Sequence, residues 1–406
     1  MLNVILRNIK KILLGWMIYV PLTYLFPKKK NLVLFMGRFQ GRFFGNVKFL
    51  YLYLHRLGDK NIEYYFFTEH RSVYEELKQQ NLPAIYHPSP RSFLMLLRAG
   101  IIVAASTVWI KKCKYHLLYR AKKVQIFHGL ALKKIELGIP RKAQYNSTPK
   151  GRFDNAIRGR FPMYDLLIST SKYITEKLFA PSFRAKAIIE AGYPRNDLFF
   201  TDEDELDLLG SDRETIERAR KLQKTGHRII LYAPTFRDTG GDAVEDKALD
   251  IEKLSSFAKE NNAVFVFKFH LSTHAAHQVE KYDNILNYGN SADIQPMMKV
   301  ADVLITDYSS VYMDYLLLDR PIVFFPYDYD KYIAEDRELL YDYDWITSGP
   351  KCHDQQQLQK ALGDCLSGKD NFAEKRAEIR RLIFEHEDGS SSERTWRSIE
   401  QNLIKP

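Results

Sequence analysis

The chain has 406 residues, which at roughly 150 residues per domain predicts two or three domains, two being the expectation. Hydrophobic residues make up 45% of it, too many for a disordered chain, and 60 Lys and Arg against 50 Asp and Glu leave a net charge of +10 that favours an anionic partner. Three cysteines, Cys113, Cys352 and Cys365, are too few and too scattered for a disulfide framework or a four-ligand zinc site, so a reducing setting is the default.

The N-terminal segment carries Arg7, Lys10, Lys11, Lys28, Lys29 and Lys30 and no acid. Ile12 to Phe26 is almost continuously apolar, but fifteen residues of helix reach only about 22 Å where a bilayer core needs about 30 Å, and Pro21 interrupts the run. A small-residue cleavage site is absent, as Pro-Lys-Lys-Lys follows. Leu2, Ile5, Ile9, Ile12, Leu13, Trp16, Met17 and Val20 recur at helical spacing with lysines mostly opposite, the pattern of a helix lying in a membrane interface. A helix packed on a core is the plainer alternative.

Further along, residues 31–36, 64–68, 101–104, 123–127, 165–170 and 187–191 read as buried strands, followed by 228–232, 263–269, 284–286, 303–306 and 322–325. Amphipathic stretches at 47–57, 74–80, 215–223 and 251–260 lie between them. This alternation predicts parallel sheets with helices on both faces, arranged as two Rossmann-like lobes with a cleft between. The expected organisation is a membrane-associating segment over 1–30, lobes over 31–191 and 192–371, and a charged helical tail over 372–406. Residues 111–160 hold many lysines and arginines against only Glu136 and Asp154. Such a stretch is a solvated face or an anion-binding surface; it lacks the aromatic-rich pattern of a nucleic-acid site, and none is expected.

Four stretches carry chemistry. In Gln125-Ile-Phe-His-Gly-Leu-Ala-Leu-Lys-Lys134 a strand delivers His128 and Gly129 to its C-terminal end, where open α/β sheets place their sites, and Lys133 and Lys134 follow. A histidine there is either structural or a titratable catalytic group. In Arg228-Ile-Ile-Leu-Tyr-Ala-Pro-Thr-Phe-Arg-Asp238, Thr235 and Arg237 suit phosphate oxygens. In Val264-Phe-Val-Phe-Lys-Phe-His270, Lys268 and His270 share one side of a strand end. His274 and His277 follow at helical spacing without the carboxylate a metal motif would supply, so no metal is assigned. In Asp302-Val-Leu-Ile-Thr-Asp-Tyr-Ser-Ser-Val-Tyr-Met-Asp314, Ser309 and Ser310 fall where a helix begins, as a plain N-cap or as a seat for a pyrophosphate. The absence of GxxxxGK[ST], GxGxxG after a strand and GxSxG argues against P-loop nucleotidases, dinucleotide dehydrogenases and α/β-hydrolases.

Taken together, these stretches resemble the CDP-glycerol glycerophosphotransferase family of teichoic-acid-type primases and polymerases. The resemblance extends over Gly192-Tyr-Pro-Arg-Asn-Asp197, Tyr327-Asp-Tyr-Asp-Lys-Tyr332, Glu335-Asp-Arg337 and Asp388-Gly-Ser-Ser-Ser-Glu-Arg394, in family order over nearly the whole chain. It implies a GT-B-like fold and transfer of an alditol phosphate from CDP-glycerol or CDP-ribitol to a hydroxyl on a lipid-linked acceptor, releasing CMP at the cytoplasmic face of the membrane. No obligatory cofactor is implied beyond this donor, and a divalent cation is left open. His128 would be the general base and His270 would act on the donor's phosphates. Thr235, Arg237, Lys268, Ser309, Ser310, Asp314, Ser392 and Arg394 would hold the donor, while Gly129, Lys133 and Lys134 would face the acceptor and membrane.

Two departures stand beside the histidines: Leu130-Ala131 replaces the family's Thr-Pro, and Leu271 replaces a Pro. The length suits a primase-like or capsule-assembly enzyme. A glycosyltransferase using a nucleotide sugar is the competing enzymatic reading.

Overall fold

The structure is a computed structural model that describes residues 9, 11–235, 237, 241–269, 281–335 and 338–405. His270, His274, His277 and Leu271 lie outside the described residues, as do Leu2, Ile5, Arg7 and Lys10. Packing divides the chain into two compact units, Met1–His128 with Ile135–Asp197 and Asp388–Pro406 in one, and Gly129–Lys134 with Leu198–Glu387 in the other.

The first unit is built on seven parallel strands, β1 (Lys29–Met36), β2 (Glu63–Thr68), β3 (Ala84–Tyr86), β4 (Ala99–Ala104), β5 (Lys122–Ile126), β6 (Met163–Ser169) and β7 (Arg184–Glu190), in the order β3-β2-β1-β4-β5-β6-β7. Leu32 to Phe35 and Ile102 to Ala104 are wholly buried, as expected of strands covered on both faces. The order reverses between β1 and β4. That reversal opens a crevice at the strands' C-terminal ends; Gly37 and Ala105 follow the two strands that flank it, and His128 follows β5, the next strand beyond β4.

The second unit has five parallel strands, β8 (Arg228–Tyr232), β9 (Ala263–Phe267), β10 (Ile285–Asn287), β11 (Val303–Thr306) and β12 (Ile322–Phe324), ordered β10-β9-β8-β11-β12. Here the order reverses between β8 and β11, the strands that deliver Thr235 and Ser309. Segment 129–134 joins this unit through main-chain bonds of Leu132 O with Leu340 N (2.6 Å) and Lys134 N with Glu338 O (3.3 Å).

The stretch expected as one tail from 372 is two helices with different addresses. Ala373–Ile383 belongs to the second unit and Ser391–Ile399 to the first. At the other end, Lys11–Tyr19 is a π-helix and Val20–Leu25 continues it as α-helix through Pro21. Its inner side is fixed: Gly15 lies so close to the His116 ring that a Cβ would meet it at 2.7 Å, and Trp16 Nε1 donates to the Ile157 carbonyl (3.0 Å). Among the described residues no helix is long and apolar enough to cross a membrane.

Candidate active site

In the first unit, His128 sits half-buried just past β5. Its Nδ1 lies 3.2 Å from the Ala105 carbonyl oxygen, which follows β4. A carbonyl can only accept, so Nδ1 carries the proton and Nε2 is left as the lone-pair nitrogen. Burial pushes the imidazole well below its ordinary value; the Arg38 guanidinium adds to this, the Ala105 contact opposes it, and Arg195 contributes a smaller depression. The ring is therefore neutral at physiological pH, the state a base needs. Arg195 also donates through Nη1 to the His128 carbonyl oxygen, and Asn46 Nδ2 donates to the neighbouring Phe127 oxygen (2.7 Å), so the main chain under the imidazole is held on both sides.

Arg38 and Arg195 were not singled out from the sequence. Arg38 stands in Gly37-Arg38-Phe39-Gln40-Gly41, directly after β1, where Phe39 and Gln40 both have positive φ (47° and 63°). Left-handed backbone at two successive non-glycine residues is held at a cost and is commonest at functional sites. A strand running into Gly-Arg was the available signal.

In the second unit, the loops after β8 and β11 are joined by Asp307. Its Oδ1 accepts the N–H of Thr235 (2.8 Å) and of Tyr308 (2.6 Å), and its Oδ2 pairs with Arg237 Nη2 (2.9 Å). Arg237, expected among the phosphate ligands, is 4% exposed and turned inward. Nε donates to Asp328 (2.6 Å), Nη1 to the Thr235 oxygen (2.6 Å) and Nη2 to Asp328 (2.9 Å). The guanidinium also lies over the rings of Tyr308 and Tyr332, themselves stacked 3.8 Å apart. Asp307 and Asp328 hold it firmly charged against its burial. It braces the loop, and the groups left to meet a ligand are its neighbours. Thr235 Oγ1 is buried without a hydrogen-bond partner among the described residues, an arrangement that leaves a hydroxyl's desolvation uncompensated until something binds.

Ser309 and Ser310 are half-buried at the start of the helix Val311–Tyr315, and Ser310 makes no side-chain cap bond. With only five residues before a 3-10 turn, this helix has little dipole of its own. Any anion there would be met mainly by hydroxyls and loop N–H groups. Asp314 is buried within the same helix. Lys268 follows β9 and donates to the Gly289 oxygen (2.6 Å) while lying over the Tyr288 ring. Lys133 lies over the Tyr332 ring at 4.7 Å, Lys134 is ion-paired with Glu338, and Gly129 is buried.

Ser392 and Arg394, also expected at the donor, lie in the first unit and are engaged with Gly192–Asp197. Asp197 accepts the N–H of Ser391 (2.8 Å) and Ser392 (2.7 Å), while Arg394 Nε donates to the Ala191 oxygen (3.0 Å) and its Nη atoms to Asp388. Gly192 has φ +84°, and a Cβ on it would meet Ser391 Oγ at 2.5 Å. Two of the resembling motifs thus form one clasp.

Residues 18–401 match the model of the CDP-Glycerol:Poly(glycerophosphate) glycerophosphotransferase family. The chain belongs to that family. It is accordingly a transferase of the glycerophosphotransferase type. It is 28% identical over 409 residues to the teichoic acid glycerol-phosphate transferase of Staphylococcus aureus, covering 97% of this chain and 99% of that protein. It is also 28% identical over 347 residues to the teichoic acid poly(glycerol phosphate) polymerase of Bacillus subtilis, where it spans only 44% of the longer protein. Among solved structures, the wall teichoic acid polymerase TagF soaked with CDPG superposes with a TM-score of 0.73 at 22% identity, covering 100% of this chain and 98% of that one. That likeness assigns the chain the same GT-B-type α/β fold.

Proposed function

We propose that this family member transfers glycerol phosphate from CDP-glycerol to a hydroxyl of a lipid-linked acceptor in wall teichoic acid or capsule-like polymer synthesis. His128 Nε2 takes the acceptor hydroxyl's proton as that oxygen attacks the phosphorus bearing glycerol. The bond from this phosphorus to the oxygen bridging it to the cytidylyl phosphate breaks, and CMP leaves with the electron pair. Thr235, Ser309 and Ser310 receive the donor's diphosphate, braced from behind by Asp307 and Arg237. Catalysis then rests on placing the reactants and meeting developing charge, with no covalent enzyme intermediate. The first unit serves the acceptor and the second the donor, and the enzyme works peripherally at the cytoplasmic face of the membrane.

The observation that carries this reading is the His128 Nδ1 contact with the Ala105 oxygen, which fixes the tautomer a general base requires. The test incubates purified protein and a lipid-linked acceptor with CDP-glycerol, CDP-ribitol or a nucleotide sugar. Release of CMP from CDP-glycerol, lost in His128→Ala, is expected. Release of a nucleoside diphosphate from a sugar donor alone would support the glycosyltransferase reading instead.

A further inference from the structure

We propose that an open basic cavity in the first unit binds the diphosphate of the membrane-embedded acceptor lipid, an inference that rests on the function proposed above. The cavity encloses about 1150 Å³ and is lined by Lys11, Lys111, Lys112, Arg141, Lys142, Arg158 and Arg160 among others. Several cations of the basic 111–160 stretch are already neutralised. Lys112 and Lys114 pair with Glu69, Arg158 with Asp154, and Lys122 with Asp165. Lys111, Arg141, Lys142 and Arg160 have no carboxylate ion pair among the described residues and line the cavity, whereas Arg120, Lys123, Lys150 and Arg152 of the same stretch, equally without one, lie outside it. Opposing them, Glu136 is the lining carboxylate, hydrogen-bonded to Thr107 Oγ1.

The wall also contains Asn155, which is 3% exposed. Its Nδ2 donates to Asn146 while its Oδ1 has no hydrogen-bond partner among the described residues. A buried amide oxygen facing a cavity calls for a donor on the ligand, such as a sugar hydroxyl next to the diphosphate.

The cavity is rigidly joined to an apolar surface. Lys11 belongs to the π-helix Lys11–Tyr19, and its Nζ donates to the Arg158 oxygen (3.2 Å), while Trp16 is bonded to Ile157. On the outer side of that segment Leu13, Met17, Tyr24 and Leu25 are 53, 64, 62 and 75% exposed. Phe153 is exposed on the helix Pro149–Arg158 that holds Trp16 and Lys11. A lipid whose chain lies along this apolar row would bring its headgroup to the cations. Four cations without a carboxylate ion pair converging on one open cavity fit a multiply charged diphosphate better than the single charge of a phospholipid diester.

The test titrates the full-length protein with farnesyl diphosphate, read by tryptophan fluorescence, beside farnesol, inorganic pyrophosphate and phosphatidylglycerol vesicles. Arg141→Glu with Arg160→Glu is compared with Lys150→Glu with Arg152→Glu, which makes the same charge change on exposed residues outside the lining. The cavity pair is expected to weaken farnesyl diphosphate binding about tenfold or more, the outside pair less than about twofold, with farnesol and pyrophosphate each binding more weakly than the diphosphate lipid. Equal losses in the two pairs would reduce the effect to general attraction and overturn the site. Displacement of farnesyl diphosphate by phosphatidylglycerol vesicles in the wild type would assign the cavity to phospholipid headgroups and also overturn it. Because binding is read without turnover, intact binding in a protein that fails to use CDP-glycerol would count against the proposed function alone.

Discussion

Asp197 caps a helix that begins at Ser391: its carboxylate accepts the N–H of Ser391 and of Ser392 at 2.8 and 2.7 Å, bringing the end of the chain back onto the first unit. A carboxylate so placed satisfies two of the donors that a helix start leaves open. Asp197→Ala is expected to lower stability by about 1–3 kcal/mol and to expose the connection over 384–390 to protease. Limited proteolysis followed by intact mass measurement checks this. A variant as resistant as the wild type would show that Arg394 and packing alone hold the clasp.

Thr235 and Arg237 should separate function from stability although they stand two residues apart. Thr235→Val removes a buried hydroxyl that has no partner among the described residues, so thermal stability should be unchanged or slightly raised. Its KM for CDP-glycerol should rise roughly tenfold if that hydroxyl meets a phosphate oxygen. Arg237→Met leaves the buried Asp307 and the half-buried Asp328 without their cation, a loss on the order of 3 kcal/mol. Calorimetry and initial rates on both variants decide the assignment. A Thr235→Val enzyme with wild-type KM would remove Thr235 from the donor site.

For His128 the direction of the shift fixes the pH profile. Burial first, then Arg38 and Arg195, depress its value, so the basic form persists below the ordinary imidazole range near 6.5. The acid limb of kcat/KM, which reports the free enzyme, should therefore fall below pH 6.5. In Arg38→Met that limb should move upward toward neutrality as one repelling charge is lost. An unmoved limb in that variant would mean that another group controls it.

The strands were legible because parallel sheets demand nearly continuous apolar runs. Residues 228–232 and 303–306 read from the sequence are β8 and β11 residue for residue, and most other strands differ by one to three residues at an end. β3 was missed because three edge residues in Ala84–Tyr86 carry no such run. The positions of His128, Thr235 and Ser309 after strands were equally readable. What those side chains touch was not. Asp307 and Asp328 reach Arg237 across 70 and 91 residues of chain, and nothing local in Arg237's surroundings signals an inward turn. The clasp of Asp197 with Ser391 escaped for the same reason: both motifs were visible, and their pairing is a product of the tertiary fold.

Lys28, one of the N-terminal cations, gives a stability signature. Its pKa is pushed down to about 7 by burial, with Arg120 and Lys123 adding repulsion. Between pH 7 and about 10.4 the unfolded chain then binds more protons at this site than the folded one, so stability should rise with pH across that window. Lys28→Met should be more stable than the wild type at pH 6, by on the order of 1 kcal/mol. The difference should fade toward pH 10. Chemical denaturation at both pH values measures it, and a difference independent of pH would trace the effect to packing.

The N-terminal segment joins two properties that deletion would confuse. Gly15, Trp16, Val20 and Thr23 pack inward or bond to the first unit, and Arg120 donates to the Thr23 oxygen (2.9 Å). Removing residues 2–27 would therefore damage the fold together with any membrane contact. Leu13→Glu with Met17→Glu changes only the outer, exposed row and adds charge where an interfacial helix would enter the headgroup region. Far-UV circular dichroism and the unfolding midpoint should stay at wild-type values, while the fraction sedimenting with phosphatidylglycerol vesicles should fall several-fold. Undiminished sedimentation would show that the basic surface alone holds the protein to the membrane, because the two added carboxylates leave every lysine and arginine in place.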